Sequence, residues 1–160
     1  MCTIGRYDIA IVILTWNSES YIGACLASLE RAARKLRLLI CVIDNGSTDR
    51  TRELVDGWKS DSAHFCLVTM YLDQNIGTTK SRNLGIRCVE HQADTLCILD
   101  SDTEITAEAL IEMKKTLMTY PSAGIVGPIL RSRDGSIQNS GRALLRCREV
   151  MTSSISSSRP

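Results

Sequence analysis

The sequence predicts an α/β domain of three layers, with helices on both sides of a mostly parallel central sheet. Three observations predict it. Short apolar runs alternate with segments whose apolar residues recur at helical spacing, the pattern of βαβ units. The runs are apolar on both faces, as strands covered by helices on both sides must be. The first four runs each pass directly into a polar cluster, and right-handed crossovers bring such strand ends to one edge.

Met1 to Tyr7 is expected to be a frayed start. Asp8 to Leu14 is rich in β-branched residues and predicts a central strand. Thr15 to Ser20 is a polar loop with helix-capping residues. Tyr21, Ile22, Cys25, Leu26, Leu29, Ala33 and Leu36 then form an apolar stripe, predicting an amphipathic helix. Leu38 to Ile43 is a second buried strand. It stops at Asp44-Asn-Gly-Ser-Thr-Asp49, a dense turn-and-cap cluster. Leu54, Val55 and Trp58 mark the next helix, and Cys66 to Leu72 is a third strand. Asp73 to Gly77 is a loop, and Lys80 to Val89 is helical. Leu96 to Asp100 is a fourth strand, followed by a helix over Glu108 to Met118. Ala123 to Leu130 reads as a further strand. Asp134-Gly135 is a hairpin turn leading into Ser136 to Leu145.

A chain of 160 residues supports one domain with a sizeable core, here 1–151, with a serine-rich tail at 152–160 expected to be disordered. The formal charge of +1 offers no basic field for nucleic acid. Ile9 to Leu14 is too short to span a bilayer and lacks a signal-peptide context. None of the seven cysteines forms a C-x-x-C pair, so neither structural zinc nor disulfides are expected. Small buried thiols in a reducing compartment fit this usage, and the expected location is the cytoplasm.

The informative stretch is Leu96-Cys-Ile-Leu-Asp-Ser-Asp-Thr-Glu104. A buried strand ends in two carboxylates, Asp100 and Asp102, at the sheet edge where α/β proteins bind ligands. Two acids there need a cation or donors to offset them. Mg²⁺ and Mn²⁺ suit oxygen ligands, and Mg²⁺ is commonly shared between carboxylates and substrate phosphates. A turn with a helix cap would explain the same residues, but three of the four polar clusters begin with an acid, which favours a shared cleft. No G-x-G-x-x-G follows any strand, which disfavours a dinucleotide enzyme. Thr-Trp-Asn after the first strand lacks the paired acids of a phospho-receiver and the basic loop of a nucleotidyltransferase.

Over Asp8 to Gly141 the sequence resembles the nucleotide-binding half of an inverting family 2 glycosyltransferase of GT-A fold, a Rossmann-like arrangement. The resemblance rests on Ile11-Val-Ile-Leu-Thr-Trp-Asn17, Val42-Ile-Asp-Asn-Gly-Ser-Thr-Asp49, Asn75-Ile-Gly77 with Ser81-Arg-Asn83, and Leu99-Asp-Ser-Asp-Thr-Glu104, in that order. It implies a nucleotide site formed by Thr15, Trp16, Asn17, Glu19, Asp44, Asn75, Gly77, Arg82, Asp100 and Ser101. Thr15, Trp16 and Asn17 would flank the base, with Trp16 in place of the more usual Tyr. Glu19 would hold ribose or base, and Asp44 would accept a base N–H. Asn45 to Asp49 are expected to shape the loop and cap the helix. Arg82 or Lys80 would neutralise the diphosphate. Asp102 would coordinate Mn²⁺ or Mg²⁺ directly, and Asp100, the second residue of the metal site, would contact ribose or a metal-bound water. Asp134 to Arg142 resembles the sugar-side hairpin, with Gln138 and Arg142 near the donor sugar. His64 and His91 are expected at the surface.

The implied reaction moves a sugar from a UDP-, GDP- or dTDP-sugar to the hydroxyl of a glycan or lipid-linked acceptor, with inversion. The family's catalytic base lies well downstream of Asp-x-Asp, and no acid of this chain after Asp102 has the motif for it, Glu149 included. The expectation is therefore a chain that is short at its C-terminal side, without its acceptor half. The alternative is a module that binds nucleotide sugar without transfer. A missing acceptor half would expose apolar surface, so self-association is expected, as is peripheral contact with the inner face of the membrane.

Overall fold

The computed structural model describes residues 7–132 and 134–138. Residues 1–126 belong to one compact unit and 127–160 to a second. The first runs β1 (Ile9–Thr15), α1 (Ile22–Ala32), β2 (Leu38–Asp44), α2 (Thr51–Asp56), β3 (Phe65–Tyr71), α3 (Thr78–Val89), β4 (Leu96–Asp100) and α4 (Ala107–Thr119). All strand pairings in its sheet are parallel, in the order β3-β2-β1-β4. The second unit contains the short antiparallel hairpin β5 (Leu130–Arg131) and β6 (Ile137–Gln138).

Alternation along the central strands divides the core in two. Ile9, Ile11 and Ile13 of β1 face one way with Leu38, Ile40 and Val42 of β2, packing on Leu26 and Leu29 of α1 and Leu110 of α4. Val12, Leu39, Cys41 and Ile43 face the other way, toward Val89 and Ile86 of α3. Each such Ile or Leu contributes about 1.5–3 kcal/mol by leaving water. The Ile22, Cys25, Leu26, Leu29 and Ala32 stripe explains α1, since every one of these residues is buried. The helix stops at Ala32, short of the predicted reach to Leu36. Leu36 still packs on the core from the following turn, so its apolar spacing marks burial without marking helix.

Residues 123–129 form no strand, and only Leu130–Arg131 pair, against the expected strand over Ala123 to Leu130. Gly124, Gly127 and Pro128 interrupt that run, and glycine weakens strands while proline lacks a ladder donor. Its isoleucines are not core residues: Ile125 and Ile129 are 92% and 73% exposed. The cysteine expectation is also corrected. Cys25, Cys41, Cys88 and Cys97 are free thiols, but Cys66 is disulfide-bonded. Local spacing screens for zinc ligands and redox pairs, and does not test for other pairings. Residues 1–6, the Ser-rich 152–160, Arg142 and Glu149 lie outside the described residues.

Candidate functional site

Chain order places β2 and β3 on one side of β1 and β4 on the other. The carboxyl ends of β1 and β4 thus flank the point where strand order reverses, the usual ligand crevice of an open parallel sheet. The register sets Thr15 of β1 beside Asp44 of β2, and Leu14 beside Asp100 of β4. Both β1 and β2 run one residue beyond the predicted strands, into Thr15 and Asp44, which are wholly buried.

Asp44 tolerates that burial because donors surround it. Thr15 Oγ1 donates to its Oδ2 at 3.2 Å, and the Ser47 N–H and Arg52 Nε donate to its Oδ1 at 3.0 and 2.7 Å. Burial pushes the carboxyl up, but the hydrogen bonds from Ser47 and Arg52, with the Arg52 charge, hold it below the usual carboxylate range. Arg52 also donates to the Leu72 carbonyl and lies 5.5 Å from the centre of the Tyr71 ring.

The polar clusters are laced together. Asn17 (φ 50°) receives the Thr48 N–H on its Oδ1 and donates its own N–H to Ser47 Oγ, both at 2.9 Å. The Ser18 N–H donates to Thr51 Oγ1 at 2.7 Å, and its hydroxyl meets that of Ser101 at 3.0 Å. Glu19 accepts the Arg50 N–H at 3.0 Å, while its own N–H donates to Asp49. Glu19 and Asp49 therefore serve the start of α2 in the structure. Buried Asn45 ties the third cluster in: its Nδ2 donates to Asn75 Oδ1 at 2.9 Å, and its Oδ1 accepts from the Ile76 N–H and the Ser81 hydroxyl. Gly77 (φ 88°) precedes α3 and donates its N–H to Asn75 Oδ1.

At β4 the Arg82 guanidinium of α3 pairs with Asp100 Oδ1. Asp102 is exposed and accepts a hydrogen bond only from the adjacent Thr103 hydroxyl, at 3.4 Å, among the described residues. No cluster of three or more His, Cys, Asp or Glu side chains able to hold a metal occurs among those residues. Two carboxylates, one of them free, still fit a hard divalent ion that keeps waters and takes phosphate oxygens as its other ligands.

A pocket of about 300 Å³ opens between Leu14, Trp16, Asn17, Ser18 and Tyr21 on one side and Asp100, Ser101 and Asp102 on the other. Trp16 is 56% exposed, leaving indole surface open to a ligand. Five of the expected residues thus line one pocket: Trp16, Asn17, Asp100, Ser101 and Asp102. Thr15 and Asp44 lie buried at neighbouring strand ends, and Asn75 and Gly77 form the β3–α3 loop without lining the pocket. Lys80 is exposed, as are His64 and His91. Gln138 belongs to the second unit. Sequence reasoning missed Arg52, Ser18 and Tyr21. Arg52 sits eight positions after its partner with no motif to join them, whereas Ser18 beside a capping cluster carried a usable signal. A larger hollow of about 520 Å³, near Trp58 and Phe65, lies at the opposite strand ends, away from these polar clusters.

Comparison with known proteins agrees with this fold. An N-acetylglucosaminyltransferase of Azorhizobium caulinodans is 25% identical over 127 residues, covering 78% of this chain and 30% of that protein. Abequosyltransferase RfbV of Salmonella typhimurium is 26% identical over 103 residues, covering 64% and 30%. The chain thus spans 30% of the length of both curated relatives. The structure of S. aureus TarS 1–349 in complex with UDP-GlcNAc matches with a TM-score of 0.59 at 27% identity, covering 70% of this chain and 31% of that one. The mannosyltransferase PcManGT from Pyrobaculum calidifontis, in complex with GDP-Man and Mn²⁺, shares the fold at 19% identity and a TM-score of 0.58, covering 81% and 37%. The fold is GT-A. Residues 10–153 match the profile of glycosyl transferase family 2, and the chain belongs to that family.

Proposed function

We propose that this chain carries the donor site of a metal-dependent glycosyltransferase, which moves a sugar from a nucleoside diphosphate to an acceptor hydroxyl with inversion. The carrying observation is the pocket that joins Trp16 and Asn17 after β1 to Asp100, Ser101 and Asp102 after β4. The exposed indole of Trp16 offers a stacking face to a base. Asp44 accepts three internal hydrogen bonds. A carboxylate has about four lone-pair sites, so one is left unused, but it is enclosed here, and a base N–H, as uracil and guanine present, reaches it only if the strand-end loops over it part. Asn75 and Gly77 shape the loop before α3, and Arg82 stands ready for phosphate oxygens. Thr15, Glu19 and Ser101 hold the strand-end loops in register around the nucleotide.

Asp102 and Asp100 would hold Mg²⁺ or Mn²⁺, which supplies charge compensation for the diphosphate as it leaves. Because TarS was solved with UDP-GlcNAc, UDP compounds come first among candidate donors, ahead of GDP and dTDP compounds. The acceptor is a glycan or lipid-linked hydroxyl, reached at the inner face of the membrane. No helix of the described residues is long and apolar enough to cross one.

A second reading, binding without transfer, draws on the acids after Asp102. Glu104 pairs with Arg31, Glu108 with Lys35 and Glu112 with Lys115, and Asp134 accepts from Ser136 within its turn. Each of these acids therefore has a surface or turn role that accounts for it without an acceptor. Incubation with labelled UDP-sugar separates the readings: transfer or slow donor hydrolysis supports the enzyme, and retention of intact donor supports the module.

A thermal-shift panel of UDP, GDP and dTDP compounds, with and without Mn²⁺, tests the donor site itself. Bound ligand at one hundred times its Kd stabilises by about 2.7 kcal/mol, a readily measured rise in Tm. Asp102→Asn should lose the Mn²⁺-dependent part of that rise, with unliganded stability within about 0.5 kcal/mol of the parent, as expected for an exposed side chain. No shift with any compound would end the proposal.

A further inference from the structure

The two acids after β4 are not equivalent. Asp100 already carries a cation: Arg82 reaches it from α3, with the Arg82 side chain 32% exposed and that of Asp100 62% exposed. Asp102, two residues on, carries none among the described residues. The Arg82 contact uses one terminal nitrogen, and its buried Nε meets no acceptor among the described residues. Both side chains of the pair are partly exposed, so acceptors of higher charge can compete for the guanidinium.

A divalent ion approaching Asp100 and Asp102 therefore meets a guanidinium on one of its two carboxylates. Like charges at that range repel, and the carboxylate is only partly available. A diphosphate changes both terms. Its oxygens match the planar fork of arginine better than a single carboxylate oxygen does, and they add negative charge beside the acids.

We propose that Arg82 is a resident counter-ion on Asp100 that makes cation capture conditional on a diphosphate. Without nucleotide, Arg82 neutralises Asp100, and the pair of acids holds a divalent ion weakly. When a nucleoside diphosphate enters, the guanidinium moves to its oxygens and both carboxylates become free for the ion. Arg82 thus acts as a positioning residue that couples two ligands, and by linkage each ligand raises the affinity of the other. The inference rests on the donor-site reading.

The test is titration of Mn²⁺, followed by the electron paramagnetic resonance signal of the free ion, with and without UDP. The parent protein should bind Mn²⁺ alone weakly and gain about tenfold or more when UDP is present, within the usual range of coupling between sites. Arg82→Gln should bind Mn²⁺ alone about tenfold more tightly than the parent and gain little from UDP. A residue that only held the fold together would not raise metal affinity when removed. Unchanged or weaker binding of Mn²⁺ alone by a folded Arg82→Gln, with UDP coupling intact in the parent, overturns the role of Arg82 and leaves the donor site standing. Failure of the parent to bind Mn²⁺ even with UDP overturns both. Should Arg82→Gln not fold, ¹⁵N spectra of the parent decide. The Arg82 Nε–H resonance should move when UDP is added without metal, and a resonance that stays in place overturns the proposal.

Discussion

Asp44 is buried and ionised together because its donors come from three separate places: Thr15 on β1, the Ser47 backbone and Arg52 on α2. Asparagine keeps the oxygen that accepts from Ser47 and Arg52 but loses the charge that pairs with Arg52. It also sets a buried NH2 where Oδ2 stood, and a buried donor without a partner costs about 1–3 kcal/mol. Asp44→Asn is therefore expected to lower the unfolding free energy by about that amount in urea titration at neutral pH. The pH dependence follows from the direction of its shift. A carboxyl held below its unfolded value, about 3.9, stabilises fully above that value and loses the contribution as pH falls through the folded one. Stability of the parent should thus decline below about pH 4, and more steeply than that of Asp44→Asn. Some decline should persist in the variant, because Asp8 and Asp49 are lowered as well. The acid at the end of β2 was legible from sequence as the residue that closes the strand. Its guanidinium partner was not, since a side-chain pair between a strand end and a helix has no fixed spacing.

Among the elements, α3 links core and site. It presents Arg82 at the strand ends and packs Ile86 and Val89 on the sheet. Gly85 permits that closeness: a Cβ there would lie 2.0 Å from Ile43 Cδ1 and 2.7 Å from Val12 Cγ1. Two effects compete in Gly85→Ala. Alanine in a helix interior gains up to about 1 kcal/mol over glycine. Overpacking a dense core costs about 1–3 kcal/mol, and Val12 is β-branched and cannot easily rotate away. The expected result is net destabilisation of about 1 kcal/mol or more, read as a lower urea midpoint with an unchanged slope. A rise in midpoint would show that α3 can lift off the sheet without loss. Gly46 plays the matching part between loops: its φ is 81°, and a Cβ on it would lie only 2.7 Å from the Gln74 carbonyl carbon. Helices and strands with strong periodicity were legible at this scale. The run over 123–130 was not, because its apolar residues serve exposed positions that glycine and proline keep out of a ladder.

For the molecule as a whole, exposed apolar side chains distinguish β4 from the inner strands. Leu96 and Ile98 are 43% and 44% exposed, while Ile11, Ile13, Ile40 and Val42 are wholly buried. Met118 at the end of α4 is 74% exposed. Among the described residues β4 pairs only with β1, so its outer edge also presents free backbone groups. An apolar strand with an open edge is a template for another chain. The expected outcome is self-association at micromolar concentration by light scattering. Ile98→Lys should shift the distribution toward monomer, since charge on an edge strand blocks pairing. A parent protein that stays monomeric would count against it.

Sequence alone determined the α/β class, the order of the first four strands along the chain, and the polar clusters that end them. It could do so because burial on both faces and helical spacing are local patterns, and because crossover handedness orients parallel strands without further information. The tertiary structure decided which acids are free and which are already paired, that Asn45 and Gly46 stitch the second cluster to the third, and that Cys66 is disulfide-bonded. These depend on contacts between residues distant in the chain, whose distances exist only once the sheet has set its register.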